Sequence, residues 1–273
     1  MKNIKISNPD KLIYPKQKIT KLDIVKYYLR VSKKMLPFIS NRLLSVIRCH
    51  EGINGECFYK KHPTTDKDIK TYTDDDEEYF YINEQAELLM QAQNGTIEFH
   101  PWGSLVSKIN QPDIMVFDLD PDTKLPLSKL REAVLKVKSV IDELNLVSFL
   151  KTSGGKGYHI VLPFSSTKDW ISFYDFSKQI ALLVESKWQN LFTTNIKKTE
   201  RKGKIFIDYL RNNRGSTCVA PYSLRARDNA TISMPIDWED LYKIKPNEVT
   251  IKNFEKFLNN SWNNFFRVKQ KLK

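Results

Sequence analysis

Cysteine, glycine and long apolar runs are all scarce in this chain of 273 residues. It contains 3 cysteines and 9 glycines, and no apolar run approaches the roughly 20 residues that a membrane-spanning helix needs. Three cysteines do not suggest a disulfide framework, so we expect free thiols and a reducing cytoplasm. The N-terminus also lacks the apolar core of a secretory signal. These absences exclude a small disulfide-rich secreted protein and predict a cytoplasmic protein without a membrane partner.

Positive charge is in clear excess. The 44 lysines and arginines outnumber the 32 aspartates and glutamates, for a formal net charge of +12. Such an excess favours a polyanionic partner, which means nucleic acid, nucleotide phosphates or an anionic membrane surface. Aromatic residues make up 12% of the chain, and several stand beside basic residues, which favours nucleic acid. We therefore predict a DNA-binding, nucleoid-associated protein.

Apolar periodicity indicates strands that alternate with helices. Thr20 is placed to cap a helix that runs to about Leu36, and further helices are expected from Ser128 and over 170–188. Predicted strands cover 114–117, 147–151, 158–163, 204–210 and 219–227. This order predicts an α/β or α+β fold. We expect one catalytic domain over 1–273, with an N-terminal flanking part (1–105), a core (106–230) and a C-terminal helical part (231–273) that Thr250 opens.

Three aspartates follow apolar strands. Asp118 and Asp120 are two positions apart, so their side chains face the same side of a strand, and Asp208 ends another strand. Carboxylates held together repel each other unless a cation neutralises them, and oxygen ligands suit Mn²⁺ or Mg²⁺. The pattern favours two divalent ions that clamp an in-line phosphoryl displacement. The alternative is that Asp118 and Asp120 only cap a turn before Pro121.

The stretch TSGGKGYH at 152–159 is the most informative one. Its three glycines let backbone amides approach an anion closely. Ser153 adds a hydroxyl and Lys156 a point charge that suits phosphate. His159 alternates with apolar neighbours, so it points away from the apolar face and toward the phosphates. A strand follows the turn, which excludes a Walker A loop, and an ordinary glycine hairpin with an exposed lysine is the alternative.

A basic segment follows the third aspartate. Alternation over 222–227 predicts a strand with Ser223, Arg225 and Arg227 on one face, and paired guanidinium groups bind phosphates bidentately. Arg211 and Arg214 add further charge. Each arginine alone is equally well explained as a solvated surface charge. Together with the aspartates and the glycine turn, these arginines indicate a site for a metal and a nucleotide.

The N-terminal third carries weaker signals. Phe58 and Tyr59 precede two lysines, as a surface that stacks a nucleobase would, although core packing explains them equally well. Cys49, Cys57 and nearby histidines match no usual zinc spacing, so free thiols are expected. His100 starts a Pro-Trp-Gly turn, and a packed histidine is the simpler interpretation.

A cluster of lysines lies near the N-terminus, at Lys11, Lys16, Lys18 and Lys21. Charged side chains at this density form a solvated face by default. The functional interpretation is a site for a DNA 5′-phosphate, because lysine binds phosphate as a point charge.

Several segments together resemble the polymerase domain of bacterial ligase D, a branch of the archaeo-eukaryotic primase superfamily. The segments that carry the resemblance are 8–15 (NPDKLIYP), 58–62 (FYKKH), 98–104 (EFHPWGS), 117–121 (FDLDP), 153–159 (SGGKGYH) and 220–227 (APYSLRAR). The resemblance implies a primase-polymerase fold, with an RRM-like half and a second α/β half around a catalytic cleft. It also implies addition of nucleotides to primer 3′ ends, with ribonucleotides and Mn²⁺ preferred, in non-homologous end joining.

The resemblance also implies roles and partners. By motif match, Asp118, Asp120 and Asp208 hold two metal ions, Ser153, Lys156, His159 and Arg225 grip the triphosphate, His100 and Arg211 lie near the incoming nucleotide, Lys11 and Lys21 bind a 5′-phosphate at a DNA gap, and Phe58 and Tyr59 stack on the template. The implied partners are DNA with a 5′-phosphate, NTP or dNTP, Ku and a separate DNA ligase.

Other functions remain open at this point. A de novo primase of a mobile element would use the same metal and nucleotide site. A non-catalytic nucleic-acid-binding module would keep the shape without the chemistry, which the intact carboxylates disfavour. A two-metal nuclease is disfavoured by the lysines and arginines suited to a triphosphate. No ligase motif is apparent beside this domain, so a stand-alone enzyme and an excised domain both fit.

Overall fold

The computed structural model describes residues 5–63, 70–258 and 262–272. Its strands are β1 (Leu12–Tyr14), β2 (Ile19–Thr20), β3 (Leu44–Arg48), β4 (Phe58–Lys60), β5 (Lys70–Asp74), β6 (Glu77–Tyr81), β7 (Thr96–Pro101), β8 (Ile114–Pro121), β9 (Phe149–Thr152), β10 (Tyr158–Pro163), β11 (Phe192–Thr193), β12 (Ile205–Asp208) and β13 (Pro235–Ile236). Its α-helices are α1 (Lys21–Ile39), α2 (Gln85–Gln93), α3 (Leu127–Glu143) and α4 (Trp170–Lys187). Short 3₁₀ helices cover Val106–Lys108, Lys198–Arg201, Leu210–Asn212, Trp238–Asp240, Phe254–Phe257 and Phe265–Arg267. The predicted α/β class is confirmed.

The first helix begins where the sequence predicts. The Thr20 hydroxyl accepts a hydrogen bond from the Asp23 backbone N–H at 3.2 Å, and the Asp23 carboxylate accepts one from the Thr20 N–H at 2.9 Å. This reciprocal capping box satisfies two amides that a helix start otherwise leaves unpaired. The helix then buries Ile24, Tyr28 and Val31, as their spacing predicts.

The six-stranded main sheet carries most of the predicted motifs. Its strand order is β11-β12-β8-β10-β9-β13, with every pair antiparallel except β11 and β12. β8 lies between β12 and β10, so residues from three separated segments meet on its face. Along β8, Met115, Phe117 and Leu119 are fully buried, which leaves Asp118 and Asp120 on the opposite face.

A small sheet lies beside the main sheet. Its order is β4-β3-β7, all antiparallel, and α1 and α2 pack against each other and on β7. One continuous cluster of buried apolar side chains spans both sheets. Two tyrosines of the N-terminal part form hydrogen bonds with the segment around Tyr222. The Tyr14 hydroxyl donates to the Arg225 carbonyl and the Tyr27 hydroxyl donates to the Tyr222 carbonyl, both at 2.7 Å. A cleft between the sheets therefore has fixed walls.

The predicted strand over 219–227 is wrong. Tyr222 adopts a φ of +66°, which breaks the alternation of side chains, and the segment makes only an isolated bridge between Leu224 and Ile232. The Ser223 side chain consequently turns inward, where its hydroxyl accepts a hydrogen bond from the Phe99 N–H at 3.0 Å. Ser223 therefore does not share a phosphate-facing surface with Arg225.

The terminal α-helix expected from Thr250 is also absent from the described residues. Two 3₁₀ helices, Phe254–Phe257 and Phe265–Arg267, occupy that part of the chain. Trp262 has a φ of +70°, which an α-helix does not accommodate, and its ring stacks on that of Phe265 at 5.0 Å. Packing of these aromatic rings into the core overrides the local helical pattern.

The expectation of free thiols is wrong for two of the three cysteines. Cys49 and Cys57 form a disulfide that closes the loop between β3 and β4, and Cys218 is free. Because β3 and β4 pair side by side, residues eight positions apart return to a Cα separation of 4.4 Å. Along the described residues, no helix is long and apolar enough to cross a membrane.

Candidate nucleotidyl-transfer site

Strand register aligns three functional side chains in a row. Asp118 on β8 lies opposite His159 on β10 and opposite Asp208 on β12. His159 Nε2 is 3.2 Å from Asp118 Oδ1, and Arg211 Nε is 3.1 Å from Asp208 Oδ2. Directly paired positions in an antiparallel sheet share a face, so Asp118, His159 and Asp208 point to one side of the sheet. Asp120 is two positions from Asp118 in the same strand, so it points to that side as well.

The aspartates influence one another's protonation. Burial alone would raise the pKa of Asp118, but the nearby His159 lowers it to about 2. Burial and then the Asp118 charge raise the pKa of Asp120 to about 6, with a further contribution from Asp208. Burial also raises the pKa of Asp208, and the Asp118 charge adds to this rise. Three carboxylates that repel one another in this way form a site where a cation is electrostatically favoured.

The aspartates are not yet gathered as metal ligands. Among the described residues, no group of three or more His, Cys, Asp or Glu side chains is already arranged to hold a metal ion. The register of β8 and β12 places Asp118 opposite Asp208, but in the free protein the two carboxylates contact His159 and Arg211. The chemistry of the donor set fits Mn²⁺ or Mg²⁺, because both ions prefer carboxylate oxygen.

A cleft of about 590 Å³, open to solvent, lies over this row. The predicted residues on its walls are Tyr59, His100, Asp118, Asp120, Ser153, Lys156, His159, Arg211, Arg225 and Arg227. Asp208 is only 6% exposed and lies behind its partner Arg211. The cleft thus joins the aspartates, the glycine turn and the basic side chains that the sequence analysis singled out separately.

The glycine turn is shaped by close approach of the backbone. A Cβ at Gly157 would lie 2.1 Å from the Leu119 carbonyl oxygen, so only glycine fits there. The Ser153 hydroxyl accepts hydrogen bonds from the Gly155 N–H at 3.0 Å and the Gly157 N–H at 3.2 Å. These two amides are therefore used inside the turn, contrary to our expectation that they would face an anion. The exposed Lys156 side chain is left as the turn's contribution to the cleft.

Glu98 is a functional residue that the sequence analysis missed. Its buried carboxylate is 2.9 Å from His100 Nε2 and 2.9 Å from Arg225 Nε, and it accepts a hydrogen bond from the Ala226 N–H at 2.7 Å. Burial lowers the pKa of His100 although Glu98 opposes this. An acidic residue two positions before His100 in an otherwise apolar strand is the signal that points to it.

Two further side chains of the cleft region escaped the sequence analysis. Cys218 Sγ is 3.2 Å from His159 Nδ1, on the side of the ring opposite Asp118. Lys151 is buried, and its ammonium donates to the Val219 carbonyl at 3.0 Å and to the Ser233 hydroxyl at 2.6 Å. Burial lowers the pKa of Lys151 to about 8. These contacts hold the ring of His159 and the chain around Val219 in place.

Arg214 does not belong to the cleft. Its guanidinium pairs with Asp74 at 2.6 Å and with Asp75 at 3.4 Å, on the turn between β5 and β6. Asp75 and Asp76 form this turn, both at positive φ. Lys198, which had no assigned role, lines the cleft instead.

A second pocket gathers two of the four N-terminal lysines. Lys11 and Lys21 line it together with Arg48 and His50. The Lys21 N–H donates to the Lys11 carbonyl at 2.9 Å, so the backbone holds the two lysines together, and burial and then Lys11 lower the pKa of Lys21. Lys11 also pairs with Glu51 at 2.8 Å.

The other two lysines of that cluster lie elsewhere. Lys16 pairs with Asp228 at 2.9 Å, and Lys18 lines a separate groove along α1. The four lysines that are close in the sequence therefore lie in three different places, and only Lys11 and Lys21 share a pocket.

The aromatic pair on β4 links the two pockets. Phe58 is 39% exposed and Tyr59 is 70% exposed, so core packing does not account for them. The Phe58 ring lies 5.7 Å from that of His50 in the second pocket, and the Tyr59 ring lies 5.9 Å from that of His100 in the cleft. These two neighbours on β4 thus place one exposed ring beside each basic pocket.

Comparisons with known proteins agree with this architecture. Residues 20–265 match the family described as "LigD, primase-polymerase domain". The Multifunctional non-homologous end joining protein LigD of Pseudomonas aeruginosa is 36% identical over 244 residues, which are 87% of this chain and 29% of that protein. The Bifunctional non-homologous end joining protein LigD of Bacillus subtilis is 30% identical over 242 residues, which are 87% of this chain and 39% of that protein. The chain thus spans well under half the length of these relatives.

A solved structure also matches the fold. The "Polymerase Domain from Mycobacterium tuberculosis Ligase D in complex with DNA" superposes with a TM-score of 0.84 at 25% sequence identity, over 94% of this chain and 98% of that chain. The predicted primase-polymerase architecture is confirmed by this match. The chain therefore belongs to the LigD primase-polymerase domain family, whose members are nucleotidyltransferases.

Proposed function

We propose that this chain adds nucleotides, preferentially ribonucleotides, to primer 3′ ends at DNA breaks and gaps during end-joining repair. One observation carries the proposal: the neighbours Phe58 and Tyr59 expose one ring beside the Lys11–Lys21 pocket and one beside the cleft over the aspartates. A gapped DNA presents a 5′-phosphate, an unstacked template base and a primer end in the same order. The resemblance of the motifs to the family supports the ribonucleotide preference.

Asp118, Asp120 and Asp208 would hold two divalent ions, Mn²⁺ by preference or Mg²⁺. Bound there, such ions lower the pKa of a primer hydroxyl and offset charge on the leaving pyrophosphate. The raised pKa of Asp120 supports this assignment, because bound cations remove the mutual repulsion that raises it. His159 and Arg211, which engage two of the aspartates in the free protein, would then be released toward the nucleotide.

The side chains of the cleft bind and orient the triphosphate. Lys156 reaches the cleft from the glycine turn, and Arg211 and Arg227 stand on its walls. Fixed positive groups aimed at the β- and γ-phosphates stabilise the charge that develops on the leaving group. Arg225 contributes from a fixed position, because Glu98 and the Ser153 carbonyl hold its guanidinium. Ser153 shapes the turn that presents Lys156.

DNA occupies the other half of the surface. Lys11 and Lys21 bind the 5′-phosphate at the far side of the gap, and Phe58 and Tyr59 stack on template bases. Base–aromatic stacking contributes about 1–3 kcal/mol per base and tolerates any sequence, which suits an enzyme that meets unrelated DNA ends.

The proposed partners rest on the family resemblance, with support from the names of the relatives for a role in end joining. Those proteins are called multifunctional or bifunctional end-joining proteins, and the matching structure contains DNA. We propose that this domain acts with Ku and a DNA ligase at the same broken end.

The test is primer extension on a gapped duplex. Extension is measured with NTP and with dNTP, in Mn²⁺ and in Mg²⁺, with and without a 5′-phosphate across the gap. We expect extension that requires the metal, is faster with NTP and Mn²⁺, and is stimulated by the 5′-phosphate. Absence of extension under every condition contradicts the proposal, and dinucleotide synthesis on a primer-free template identifies a de novo primase instead.

A further inference from the structure

His50 stands in the Lys11–Lys21 pocket with no role in the function described so far. It is the first residue of the loop after the Cys49 half-cystine, and its side chain is exposed. Within the described part of the chain, neither of its ring nitrogens has a hydrogen-bond partner. Its ring lies 5.7 Å from the ring of Phe58, so the imidazole stands between the lysines and the aromatic surface.

The backbone holds His50 at this point. The Cys49 N–H donates to the Gly95 carbonyl at 3.0 Å, and Cys49 is bonded to Cys57. Gly95 has a φ of +83°, and a Cβ there would lie 3.1 Å from His50 Nδ1. The glycine therefore leaves room beside the imidazole, and the ring is free to face the pocket.

The charges around His50 are mostly positive. The cations that act on it are Lys11 just before β1, Lys21 at the start of α1 and Arg48 at the end of β3, and Glu51 is the one carboxylate among the groups that act on it. Glu51 is already paired with Lys11. Burial and then Arg48 and Lys11 lower the pKa of His50, so the ring is neutral at neutral pH in the free protein.

We propose that His50 is a third, proton-dependent ligand of the DNA 5′-phosphate. This inference rests on the proposed function, because it takes the Lys11–Lys21 pocket as the phosphate site. A phosphate carries about −1.5 to −2 charges near pH 7, which offsets the cations that keep the ring neutral. The phosphate therefore favours uptake of a proton by His50, and an imidazolium donates a charge-assisted hydrogen bond in return.

The direction of the pH effect follows from this linkage. Phosphate binding raises the pKa of His50, so the complex binds more protons than the free protein does. Affinity for the phosphorylated end then increases as pH falls from the pKa of His50 in the complex to its pKa in the free protein. At pH values above the pKa in the complex, His50 is neutral and contributes no charge. Above that range, only the two lysines contribute charge.

The experiment measures the ratio of dissociation constants for unphosphorylated and 5′-phosphorylated gapped DNA at pH 6.5 and pH 8.0. For the wild-type protein we expect the ratio to be about fivefold larger at pH 6.5, the upper end for a solvent-exposed charge pair. His50→Gln should remove this rise and match the wild type at pH 8.0. His50→Lys should give the larger ratio at both pH values, because its charge is permanent.

His62→Gln is the matched control. His62 is also exposed, but its ring lies against the Glu78 carbonyl and Glu77 on the β5–β6 hairpin. This variant should keep the wild-type pH dependence. Because each value is a ratio of two dissociation constants at one pH, titration effects on general DNA affinity cancel. The DNA 5′-phosphate titrates in the same way with His50→Gln as with the wild type, so it does not explain a difference between the two proteins.

Failure of this inference is distinguishable from failure of the proposed function. If the wild type prefers the phosphorylated end but His50→Gln shows the same pH dependence, the inference is overturned and the lysine pocket stands. If the wild type shows no preference at either pH, the phosphate pocket itself is wrong and the inference falls with it.

Discussion

At the scale of single residues, the cleft depends on charges that compensate each other. Asp118 and Asp208 each hold a cationic partner, His159 and Arg211, whereas burial and then the Asp118 charge raise the pKa of Asp120 to about 6. A site built this way carries an electrostatic cost in the free protein, which a bound cation relieves. The charge state of the aspartates is therefore the first property to test.

Asp208→Asn should reduce nucleotide addition at least about a hundredfold, because an amide does not replace a carboxylate in stabilising two cations. DNA affinity should change little, since Asp208 lies behind Arg211 and away from the lysine pocket. Single-turnover primer extension and fluorescence anisotropy measure the two quantities. Asp142→Asn, at an exposed position on α3, is the control. Normal extension by Asp208→Asn would contradict the metal assignment.

The affinity for Mn²⁺ should fall as pH is lowered through 6. Asp120 has a pKa of about 6 in the free protein, so protons compete with the metal below that value and not at pH 8. Titration of Mn²⁺ by calorimetry at pH 5.5 and pH 8.0 measures the difference. Asp120→Asn should bind Mn²⁺ more weakly at pH 8.0 and lose most of this pH dependence. An Mn²⁺ affinity that is equal at both pH values in the wild type refutes the argument.

The same group predicts the effect of pH on stability without metal. A carboxyl whose pKa is higher in the folded than in the unfolded state destabilises the fold above that pKa and not below the unfolded value. Asp120 is exposed to solvent at the surface of the cleft, so solvent screening limits the effect. Asp120→Asn should therefore raise the Tm of the metal-free protein slightly at pH 8. Thermal unfolding at pH 8 measures this Tm and serves as the stability control for the Mn²⁺ titrations of the same variant.

Glu98 is a positioning residue, because it acts through His100 and Arg225. Glu98→Gln should raise the KM for nucleotide about tenfold with a smaller effect on kcat, since Arg225 loses the charge that orients it. It should also cost about 3 kcal/mol of stability, because a buried ion pair loses one partner. Steady-state kinetics and urea unfolding separate the two effects. Glu132→Gln, in an exposed pair on α3, should change neither, and a normal KM for Glu98→Gln would leave Glu98 a purely structural role.

At the scale of elements, strand pairing and helix starts place the functional groups. The main-chain bond from Lys21 to Lys11 joins the start of α1 to the residue before β1, and the disulfide closes the β3–β4 loop between His50 and Phe58. Each pocket thus lies where two or more elements end. Removal of a positive charge from such a pocket should therefore weaken ligand binding, whereas removal of the same charge a few residues away should not.

Lys11→Ala and Lys21→Ala should each lower the preference for 5′-phosphorylated gaps about three- to tenfold, because each removes a phosphate-binding charge. Lys18→Ala makes the same change in net charge outside the pocket and should leave the preference intact. Binding to gapped DNA with and without the phosphate measures it. An equal effect of all three substitutions would show that net charge, and not the pocket, provides the preference.

At the scale of the whole molecule, the chain has an excess of 12 positive charges, and basic side chains line both the lysine pocket and the cleft. Both sheets share one apolar core, so the two pockets are held at a constant separation. Such a scaffold suits recognition of a gap, whose two ends are joined by the template.

The affinity for gapped DNA should depend strongly on salt. About four phosphate contacts would lower it roughly a hundredfold between 50 and 200 mM salt. The slope of the logarithm of affinity against the logarithm of salt concentration should become shallower by about one in Lys11→Ala. Anisotropy titrations over that salt range measure both slopes, and parallel slopes would argue against a direct phosphate contact by Lys11.

Local sequence patterns determined many elements correctly. The helix start at Thr20, the strand over 158–163 and the helix over 170–188 were predicted from residues close together in the chain, and the structure has them within a residue or two. The failures are equally informative. The alternation over 222–227 is overridden by a turn at Tyr222, and the aromatic pattern after Thr250 is overridden by packing.

Only the tertiary structure decided which groups meet. Asp118 and Asp208 are brought together by the register of β8 and β12, Glu98 reaches Arg225 across 127 positions, and Cys49 meets Cys57 because β3 pairs with β4. The sequence by itself determined the chemistry of these side chains and the local conformation that presents them. It did not determine their partners, because partners distant in the chain are selected by the alignment of strands and the filling of one shared core.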